Sequence, residues 1–329
     1  MPKKRKINLA VVGAGKWAVD YHLPTLHSKA LQPKLNVRGI WNRTRSKSER
    51  AAKKWGIPRV YKSLDEILQD SSIDAVSVVV NSGAVGNILR KLGWRNLPVF
   101  CEKPPGKNSL EAKRLATLVN PKNVVGFNRR YSPLNRKFKS LVDKLASIQW
   151  VECHFMRRHR DDPKFVTETG VHGINFLEYL VGPIRSVAAE RWSSKEKNNY
   201  NWLARIEFAS GLRGLIKFFP SVGISLENIE IHGDDVSLYL DSQQHFTDTN
   251  EGRITICRNT KRKRLSTRHI VGNREEDRLT RGGFEGEYLD FIAAIQKHRS
   301  ALSNFGNSWT SMRAAEIIER GKSGTIEGS

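Results

Sequence analysis

The sequence predicts an α/β domain built on a doubly wound parallel sheet, followed by an α+β domain with a large, mostly antiparallel, open-faced sheet. The chain has 329 residues, which is more than one hydrophobic core usually organises. Over roughly the first 125 residues, short apolar runs alternate with helical segments, whereas later segments alternate apolar and polar residues one by one. We therefore expect a first domain over residues 1–126 and a second over 127–329, with the C-terminal helix packing back on the first.

The predicted first domain begins with a strand, a glycine-rich turn and a helix. The strand is the β-branched run from Ile7 to Val12, and the helix after the glycines ends near Pro24. Two capping-box patterns, at 46–49 and 63–66, predict helices that begin at Arg50 and just after Ser63. Further apolar runs predict strands at 35–41, 74–80, 97–101 and 123–127, and a helical pattern covers 109–119.

The predicted second domain is a series of strands with one wet face, interrupted and closed by helices. Runs of period two predict strands at 149–155, 202–208, 212–219, 228–233 and 237–241. Helical patterns cover 134–145, 169–180, 285–297 and 309–322. The polar stretch 250–281 contains the basic run from Lys261 to Arg264, and we expect either an exposed hairpin or a mobile loop there.

Composition argues against a membrane protein, an exported protein and a metalloprotein. No apolar run approaches the roughly 18 residues that span a bilayer, and the opening MPKKRKINLA lacks the features of a secretory signal. Cys101, Cys153 and Cys257 have no metal-ligand spacing, which predicts reduced thiols in a cytoplasmic protein. Strand alternation points Cys153 and His154 apart, so this pair does not indicate a metal site either.

The chain is strongly basic. Its 56 Lys and Arg residues against 33 Asp and Glu residues give a net charge of +23, which attracts polyanions or small anionic molecules. The basic run 3–6 matches a nuclear-import patch or, alternatively, a solvated tail. Basic residues are spread over many elements and no nucleic-acid-reading module is legible, which argues against a nucleic-acid binder.

The turn after the first strand matches the dinucleotide-binding fingerprint. Gly13 permits the tight turn, Gly15 lets the backbone approach a pyrophosphate, and the small Ala18 lets the helix pack on the strand. Lys16 and Trp17 fill the same turn, where the free N–H groups of a helix N-terminus favour phosphate. The sequence therefore predicts a nicotinamide dinucleotide cofactor bound by these five residues.

Residues 42–45 favour NADP over NAD. The second strand of such domains usually ends in an acid that binds the ribose 2′-hydroxyl, but Asn42, Arg43, Thr44 and Arg45 include none. Asn42 does not repel an anion, and Arg43 offers a planar fork to a 2′-phosphate. The alternative is a solvated loop that is merely rich in basic residues.

The segment Glu102-Lys103-Pro104-Pro105 follows the predicted strand 97–101. Ligands of doubly wound sheets bind at the carboxyl ends of the strands, so Lys103 is expected to face the cofactor. Two consecutive prolines restrict the backbone, which suits a side chain held in one position. A surface lysine at the end of a strand is the alternative.

The chain resembles the Gfo/Idh/MocA family, which groups glucose-fructose oxidoreductase, inositol dehydrogenase and a rhizopine-catabolism protein. The resemblance covers nearly the whole chain, and its hallmark is Glu-Lys-Pro after the fifth strand. The matching segments, in order, are GAGKWAVDYHLPTL (13–26), DAVSVVV (74–80), CEKPPG (101–106), GFNRRYSP (126–133) and GVHGINFLEYL (170–180).

The resemblance implies a catalytic pair. Lys103 is expected beside the nicotinamide, and His172 is expected as the general base toward a substrate hydroxyl, because an imidazole exchanges protons near neutral pH. Glu168 stands where the family has an aspartate that polarises this histidine. Asn81 and Ser82 replace the family's Thr-Pro, and we expect them to contact the cofactor together with Glu102 and Asn128. The family's histidine in this loop is also missing, since Gly86 closes the segment 81–86.

The resemblance also implies where the substrate binds. Arg130 and Tyr131 match positions that line the family's cleft, and Asn175 replaces an aspartate three residues after His172. Arg158 and Arg160 follow a predicted strand and are expected on one side of it, with Arg157 opposite. If that side faces the cleft, phosphate or carboxylate recognition follows; a solvated sheet edge is the alternative.

We expect an NADP(H)-dependent or, less favoured, NAD-dependent dehydrogenase. Its substrate would be a sugar, an inositol or a related polyol, phosphorylated or nucleotide-linked in one version of this hypothesis. A non-catalytic dinucleotide sensor on the same scaffold is the alternative, favoured by Glu168, Asn175 and Gly86. By resemblance, the protein would form a homodimer or homotetramer through the C-terminal sheet.

Overall fold

A computed structural model describes residues 5–194, 200–242, 252–259 and 265–326. No helix within these ranges is long and apolar enough to cross a membrane. Lys3 and Lys4 of the N-terminal basic run lie outside the described residues, as does the basic run 261–264.

The first sheet has six parallel strands. Along the sheet their order is β3-β2-β1-β4-β5-β6. This order reverses direction between β1 and β4, as in doubly wound dinucleotide-binding domains, so the prediction for this sheet is confirmed. The strands are β1 (Ile7–Val12), β2 (Leu35–Trp41), β3 (Arg59–Val60), β4 (Ala75–Val78), β5 (Val99–Glu102) and β6 (Val124–Gly126).

The second sheet has nine strands in the order β14-β13-β12-β11-β7-β10-β9-β8-β15. Within the described part of this sheet, β7 and β10 are the one parallel pair, so the predicted, mostly antiparallel sheet is confirmed. The strands are β7 (Trp150–Met156), β8 (Ile184–Ser193), β9 (Tyr200–Phe208), β10 (Arg213–Phe219), β11 (Leu226–His232), β12 (Val236–Asp241), β13 (Arg253–Asn259), β14 (Leu265–Val271) and β15 (Ser323–Thr325).

The helices connect and cover these sheets. Two π-helical turns, Ala18–His22 and Val166–Gly170, lie directly before α1 and α7. The α-helices are α1 (Leu23–Leu26), α2 (Arg45–Trp55), α3 (Leu64–Gln69), α4 (Ser82–Gly93), α5 (Ser109–Leu118), α6 (Pro133–Val142), α7 (Val171–Val181), α8 (Arg278–Arg281), α9 (Phe284–Lys297) and α10 (Trp309–Glu319).

Several details differ from the sequence prediction. Helix α2 begins at Arg45 with Thr44 as its N-cap, so the capping box predicted at 46–49 lies inside the helix and the prediction was wrong. The box at 63–66 is half formed: Ser63 accepts a bond from the Glu66 N–H at 3.2 Å, while the Glu66 carboxylate binds the N–H of Lys62. Strand β8 was not predicted. Strands β13 and β14 pair antiparallel within 250–281, in agreement with the hairpin alternative predicted there.

The chain forms two compact units. Residues 1–128 and 284–309 form the first, and residues 129–283 and 310–329 form the second. The first unit thus includes α9, although α9 follows strands β7 to β14 of the second sheet in sequence.

Helix α9 belongs to the core of the first unit through one apolar face. Phe284, Tyr288, Phe291 and Ile292 recur at helical spacing and are buried. The ring of Tyr288 stacks on Phe100 of β5 with centroids 4.3 Å apart. Burying side chains of this size contributes about 1.5–3 kcal/mol each, which fixes α9 against the parallel sheet.

In the second unit, α7 approaches the antiparallel sheet closely because glycines face it. A Cβ on Gly170 would lie 2.6 Å from the ring of Phe218, and one on Gly173 would lie 3.0 Å from Phe155. Any larger residue would push the helix away from β7 and β10. The start of α7, which carries a predicted catalytic residue, is therefore held rigidly.

The other face of the second sheet is polar near its centre. Glu152 on β7 is 2.8 Å from Lys217 on β10. Although partial burial acts in the opposite direction, hydrogen bonds from Lys217, Trp150 and His154 lower the pKa of Glu152 to about 2. The predicted alternation of an apolar and a polar face is confirmed along β7.

Candidate functional site

The glycine turn after β1 has the geometry that the fingerprint predicts. Gly13 has φ of +118°, and a Cβ there would lie 2.0 Å from the carbonyl oxygen of Val79. A Cβ on Gly15 meets no atom within 4 Å. The fold itself therefore requires Gly13, whereas the space over Gly15 is open for a ligand to approach the backbone, which fits a pyrophosphate.

Aromatic rings connect the helical segment after the turn to the start of α9. The rings of Trp17 and Tyr21 are 4.1 Å apart, and Tyr21 stacks on Phe284 at 5.1 Å. Lys16 lies 2.5 Å from Asp20. Ala18 is fully buried, as the close packing of helix on strand requires.

Residues 42–45 include side chains that bond to other protein groups and one exposed side chain, Arg43, that does not bond to any described residue. The Asn42 side chain accepts a hydrogen bond from the Ala14 N–H at 3.1 Å and donates one to the Thr44 carbonyl at 3.1 Å, so it braces the glycine turn. Arg45 pairs with Glu49 at 2.8 Å in the first turns of α2. Arg43 is exposed and makes no hydrogen bond or ion pair with any described residue.

The segment expected to be a loop at 81–86 is the first turn and a half of α4. Asn81 caps this helix by accepting a bond from the Ala84 N–H at 3.2 Å, and Ser82 is the first helical residue. A Cβ on Gly86 would lie 2.1 Å from the Glu111 carboxylate. A larger residue at position 86 would therefore have to displace the Glu111 side chain.

Glu102 is a buried carboxylate that gathers N–H donors. His22 Nε2 lies 2.8 Å from one oxygen, the Lys103 backbone N–H donates to the other at 3.0 Å, and the Trp17 indole also bonds to the carboxylate. Burial alone would raise the pKa of Glu102, but the His22 bond and charge, with the charge of Lys103, hold it below the ordinary 4.5. We expected Glu102 to contact the cofactor, but both oxygens bind protein groups.

Lys103 and Asn128 follow adjacent parallel strands of the first unit. Lys103 is half-buried directly after β5, and Asn128 is buried two residues after β6. Glu102 pairs in register with Gly126, so both strand ends lie at the same edge of the sheet. The peptide between Lys103 and Pro104 is cis. This edge is the one at which doubly wound sheets bind ligands.

His172 and Glu168 lie in the second unit. His172 is the second residue of α7 and is buried, whereas Glu168 is half-buried in the π-helical turn before it. The two are four residues apart, as the resemblance requires. Their roles remain predictions.

Arg130 is a buried cation held by Asn175. The Asn175 side-chain oxygen accepts from Arg130 Nε at 2.6 Å, and its amide nitrogen donates to Ser311 Oγ at 2.9 Å. Asn175 is fully buried. Its amide therefore orients Arg130, a different task from the predicted substrate contact. Tyr131, beside Arg130, is also buried.

The arginines after β7 separate into one buried and two accessible residues. β7 ends at Met156, so Arg158 and Arg160 lie beyond the strand and strand alternation does not fix their sides. Arg157 is buried and shares the carboxylate of Glu227 with Arg129. Arg158 is exposed, and Arg160 Nε donates to Asp162 at 2.8 Å.

Sequence reasoning missed four buried polar residues that support the predicted ones. His22 and Tyr288 lie behind Glu102, whereas Ser311 and Glu178 lie behind Asn175. A signal existed for His22, which is a polar residue in the quoted motif GAGKWAVDYHLPTL on an otherwise apolar helical face. No local signal pairs it with Tyr288, which is 266 residues away.

Within the described ranges, no cluster of three His, Cys, Asp or Glu side chains could hold a metal ion. Burial raises the pKa of the Cys101 and Cys153 thiols, which keeps both protonated and unsuited to bind a metal.

Comparison with known proteins identifies relatives of both units. The GFO_IDH_MocA profile described as "Oxidoreductase family, NAD-binding Rossmann fold" matches residues 7–128. The profile described as "Oxidoreductase family, C-terminal alpha/beta domain" matches residues 124–323. Together these two matches cover nearly all of the chain.

Two curated relatives illustrate the range of similarity. The oxidoreductase YceM of Salmonella typhimurium is 31% identical over 175 residues, which is 52% of this chain and 52% of that protein. The chain thus spans about half the length of this relative. The scyllo-inositol 2-dehydrogenase (NAD(+)) of Bacillus subtilis is 24% identical over 266 residues, or 74% of this chain and 76% of that protein.

Solved structures share the fold over almost the full length. A levoglucosan dehydrogenase in complex with NADH and levoglucosan superposes with a TM-score of 0.84 at 17% identity, covering 98% of this chain and 100% of that one. An NAD-binding oxidoreductase from Klebsiella pneumoniae gives 0.84 at 18% identity with the same coverage. At such identities the likeness concerns the fold.

Proposed function

Because this chain belongs to the Gfo/Idh/MocA oxidoreductase family, we propose that it transfers hydride between NADP(H) and a secondary alcohol or carbonyl of a sugar, inositol or related polyol. The observation that carries the proposal is the edge of the first sheet, where a glycine turn with open space over Gly15 accompanies a half-buried Lys103 at the end of β5. The bound nicotinamide would supply the hydride acceptor or donor.

The residues at 42–45 support NADP as the preferred cofactor. This segment contains no carboxylate to repel a 2′-phosphate, and Asn42 is occupied in bracing the turn. Arg43 is exposed and makes no ion pair with the residues that the structure describes, so its guanidinium can bind a phosphate in a bidentate manner. Losing a charged hydrogen bond of this kind costs about 1.5–3 kcal/mol, or roughly 10- to 100-fold in affinity.

Two ionisable side chains are proposed for the proton that accompanies hydride transfer. Oxidation of an alcohol removes a proton from oxygen, and His172 is a suitable acceptor that returns the proton in the reverse direction. The Lys103 ammonium would stabilise negative charge that develops on that oxygen. Glu168, four residues before His172, would orient the imidazole.

An anionic substrate, either phosphorylated or nucleotide-linked, is proposed on the basis of charge. The net charge of +23 attracts anions. Arg158 is exposed, and Arg130 is fixed by Asn175 in one orientation. We also propose a cytoplasmic enzyme that forms a homodimer or homotetramer through the open face of the second sheet.

A non-catalytic sensor is the second candidate. It is supported by three departures from the resembled family, at Gly86, Glu168 and Asn175. A sensor would bind dinucleotide but consume none.

The proposal is tested by binding and by turnover. Affinities for NADPH and NADH are compared by fluorescence titration in the wild type, in Arg43→Ala and in Arg38→Ala as a nearby exposed control. We expect Arg43→Ala alone to lose affinity for NADPH, by about 10- to 100-fold. A screen of NADPH consumption over keto-sugars, inososes and their phosphates then tests the reaction; binding without any turnover would support the sensor.

A further inference from the structure

Four buried side chains form a chain of hydrogen bonds behind Lys103. Ser77 Oγ lies 2.7 Å from the Tyr288 hydroxyl, which lies 2.9 Å from His22 Nδ1, and His22 Nε2 lies 2.8 Å from Glu102. The four come from β4, α9, the π-helical turn and β5. Ser77, Tyr288 and His22 are fully buried, and Glu102 is only 6% exposed.

The charge on Glu102 fixes one end of this chain. An ionised carboxylate only accepts hydrogen bonds, so His22 Nε2 must carry a proton and donate it to Glu102. Burial raises the pKa of Tyr288 well above 10, so its hydroxyl keeps a proton that it donates either to His22 or to Ser77. The position of the imidazole is therefore determined from both sides.

The series of hydrogen bonds ends at the backbone of Lys103. Glu102 accepts the N–H of Lys103 at 3.0 Å, and the charge of Lys103 is close enough to lower the pKa of Glu102. Trp17, which follows the glycine turn, donates to the same carboxylate. One carboxylate thus connects the dinucleotide turn to the candidate catalytic lysine.

We propose that His22 is a positioning residue for Lys103, acting through Glu102. It holds the carboxylate in the orientation that fixes the Lys103 backbone and attracts its ammonium, so that the lysine and the glycine turn occupy one fixed relative position. This inference rests on the proposed function for its catalytic meaning. This series of hydrogen bonds is not a proton path, because its far end at Ser77 is fully buried within the sheet.

Two substitutions separate positioning from simple packing. His22→Phe retains a ring of similar size but removes both hydrogen bonds, whereas His22→Gln can still donate to Glu102 and accept from Tyr288. Tyr288→Phe is a milder change that removes one hydroxyl and serves if His22→Phe does not fold. His27→Phe is the matched control, because His27 lies five residues later, next to Trp55, and does not touch Glu102.

The first readout does not require turnover. Trace acetylation with acetic anhydride, followed by mass spectrometry of the Lys103 peptide, reports the environment of this amine in each variant, with the Lys47 peptide as an internal reference. We expect the Lys103 rate to change in His22→Phe and Tyr288→Phe, to return toward wild type in His22→Gln, and to be unchanged in His27→Phe. Equal Lys103 rates in His22→Phe, Tyr288→Phe and His27→Phe would overturn the proposal.

The second readout separates this inference from the proposed function. With a substrate found in the screen, kcat is expected to fall about 10- to 100-fold in His22→Phe, with much less change in KM. If the wild type shows no turnover, the proposed function fails while the acetylation result still decides the positioning role. Loss of kcat in His22→Phe that His22→Gln does not restore would indicate a packing effect and contradict the proposal.

Discussion

Glu102 in the first unit and Glu178 in the second are both buried carboxylates, yet their pKa values move in opposite directions. Burial acts to raise both. At Glu102, the bond and charge of His22 and the charge of Lys103 outweigh burial, and the pKa is lowered. At Glu178, burial prevails over Ser311, the Ile184 N–H and Arg130, and the pKa is raised.

The difference shows that the donors, rather than burial, decide what a buried acid can do. Glu102 binds N–H groups, which can only donate, and its neighbours carry charge. Glu178 binds the hydroxyl of Ser311, which can donate or accept, so it can be neutral without breaking the network. Glu102 thus acts as a fixed anion that organises Lys103, whereas Glu178 ends a network that orients Arg130 through Ser311 and Asn175.

The largest expected effect comes from the matched pair Glu102→Gln and Glu178→Gln. An amide offers one acceptor oxygen, so at position 102 at least one of the N–H donors faces an NH₂ group. We expect the free energy of unfolding to fall by about 3 kcal/mol or more for Glu102→Gln, and by about 1 kcal/mol or less for Glu178→Gln. Urea denaturation at neutral pH measures both. Equal losses would remove the distinction between the two acids.

Removing a hydroxyl from the second network should have an intermediate effect. Ser311 is fully buried, donates to Glu178 and accepts from Asn175. Ser311→Ala is expected to lower the free energy of unfolding by about 1–3 kcal/mol, because buried polar groups lose a partner. Ser140→Ala, which removes a bond from a half-buried hydroxyl to a carbonyl of its own helix, is the control. A loss no larger than that of Ser140→Ala would show that this network does not hold Asn175.

The smallest expected effect is on the pH dependence of stability, to which Glu102 and Glu178 contribute with opposite signs. The folded pKa of Glu102 lies below 4.5, so its contribution is complete above pH 4.5 and is lost as pH falls toward the folded value. The folded pKa of Glu178 lies above 4.5, so the wild type loses stability as pH rises from 4.5 through the folded value.

The difference in unfolding free energy between variant and wild type should therefore change with pH in opposite directions for Glu102→Gln and Glu178→Gln. The loss of unfolding free energy caused by Glu102→Gln should become smaller below pH 4.5. The unfolding free energy of Glu178→Gln should rise relative to that of the wild type as pH increases above 4.5. Chemical denaturation across an acid-to-neutral pH series measures both differences. Parallel slopes would contradict the assignment of opposite shifts.

The same two regions show what the sequence could and could not reveal. The glycine turn, the strand before Lys103 and the helix of His172 follow from local patterns of glycine, apolar residues and period. The tasks of Asn42 and Asn175 do not, because each is decided by a partner distant in sequence: Ala14 is 28 residues from Asn42, and Arg130 is 45 residues from Asn175.

Errors in the elements also have physical causes. Strand β8 was missed because the segment 184–193 contains helix-forming Ala, Glu and Arg and is exposed along much of its length. The start of α2 was placed five residues late because a capping-box pattern also occurs inside helices. The segment 184–193 is a strand because it pairs with β9. Helix α2 begins at Arg45 because β2 already ends at Trp41.

Single-turnover hydride transfer from NADPH in Lys103→Met, His172→Ala and the double variant tests the central claim most directly. If both residues serve one step, each single variant should lose at least about 100-fold in rate with NADPH binding nearly unchanged, and the double variant should be little slower than the slower single. Wild-type rates in either single variant would contradict the proposed mechanism.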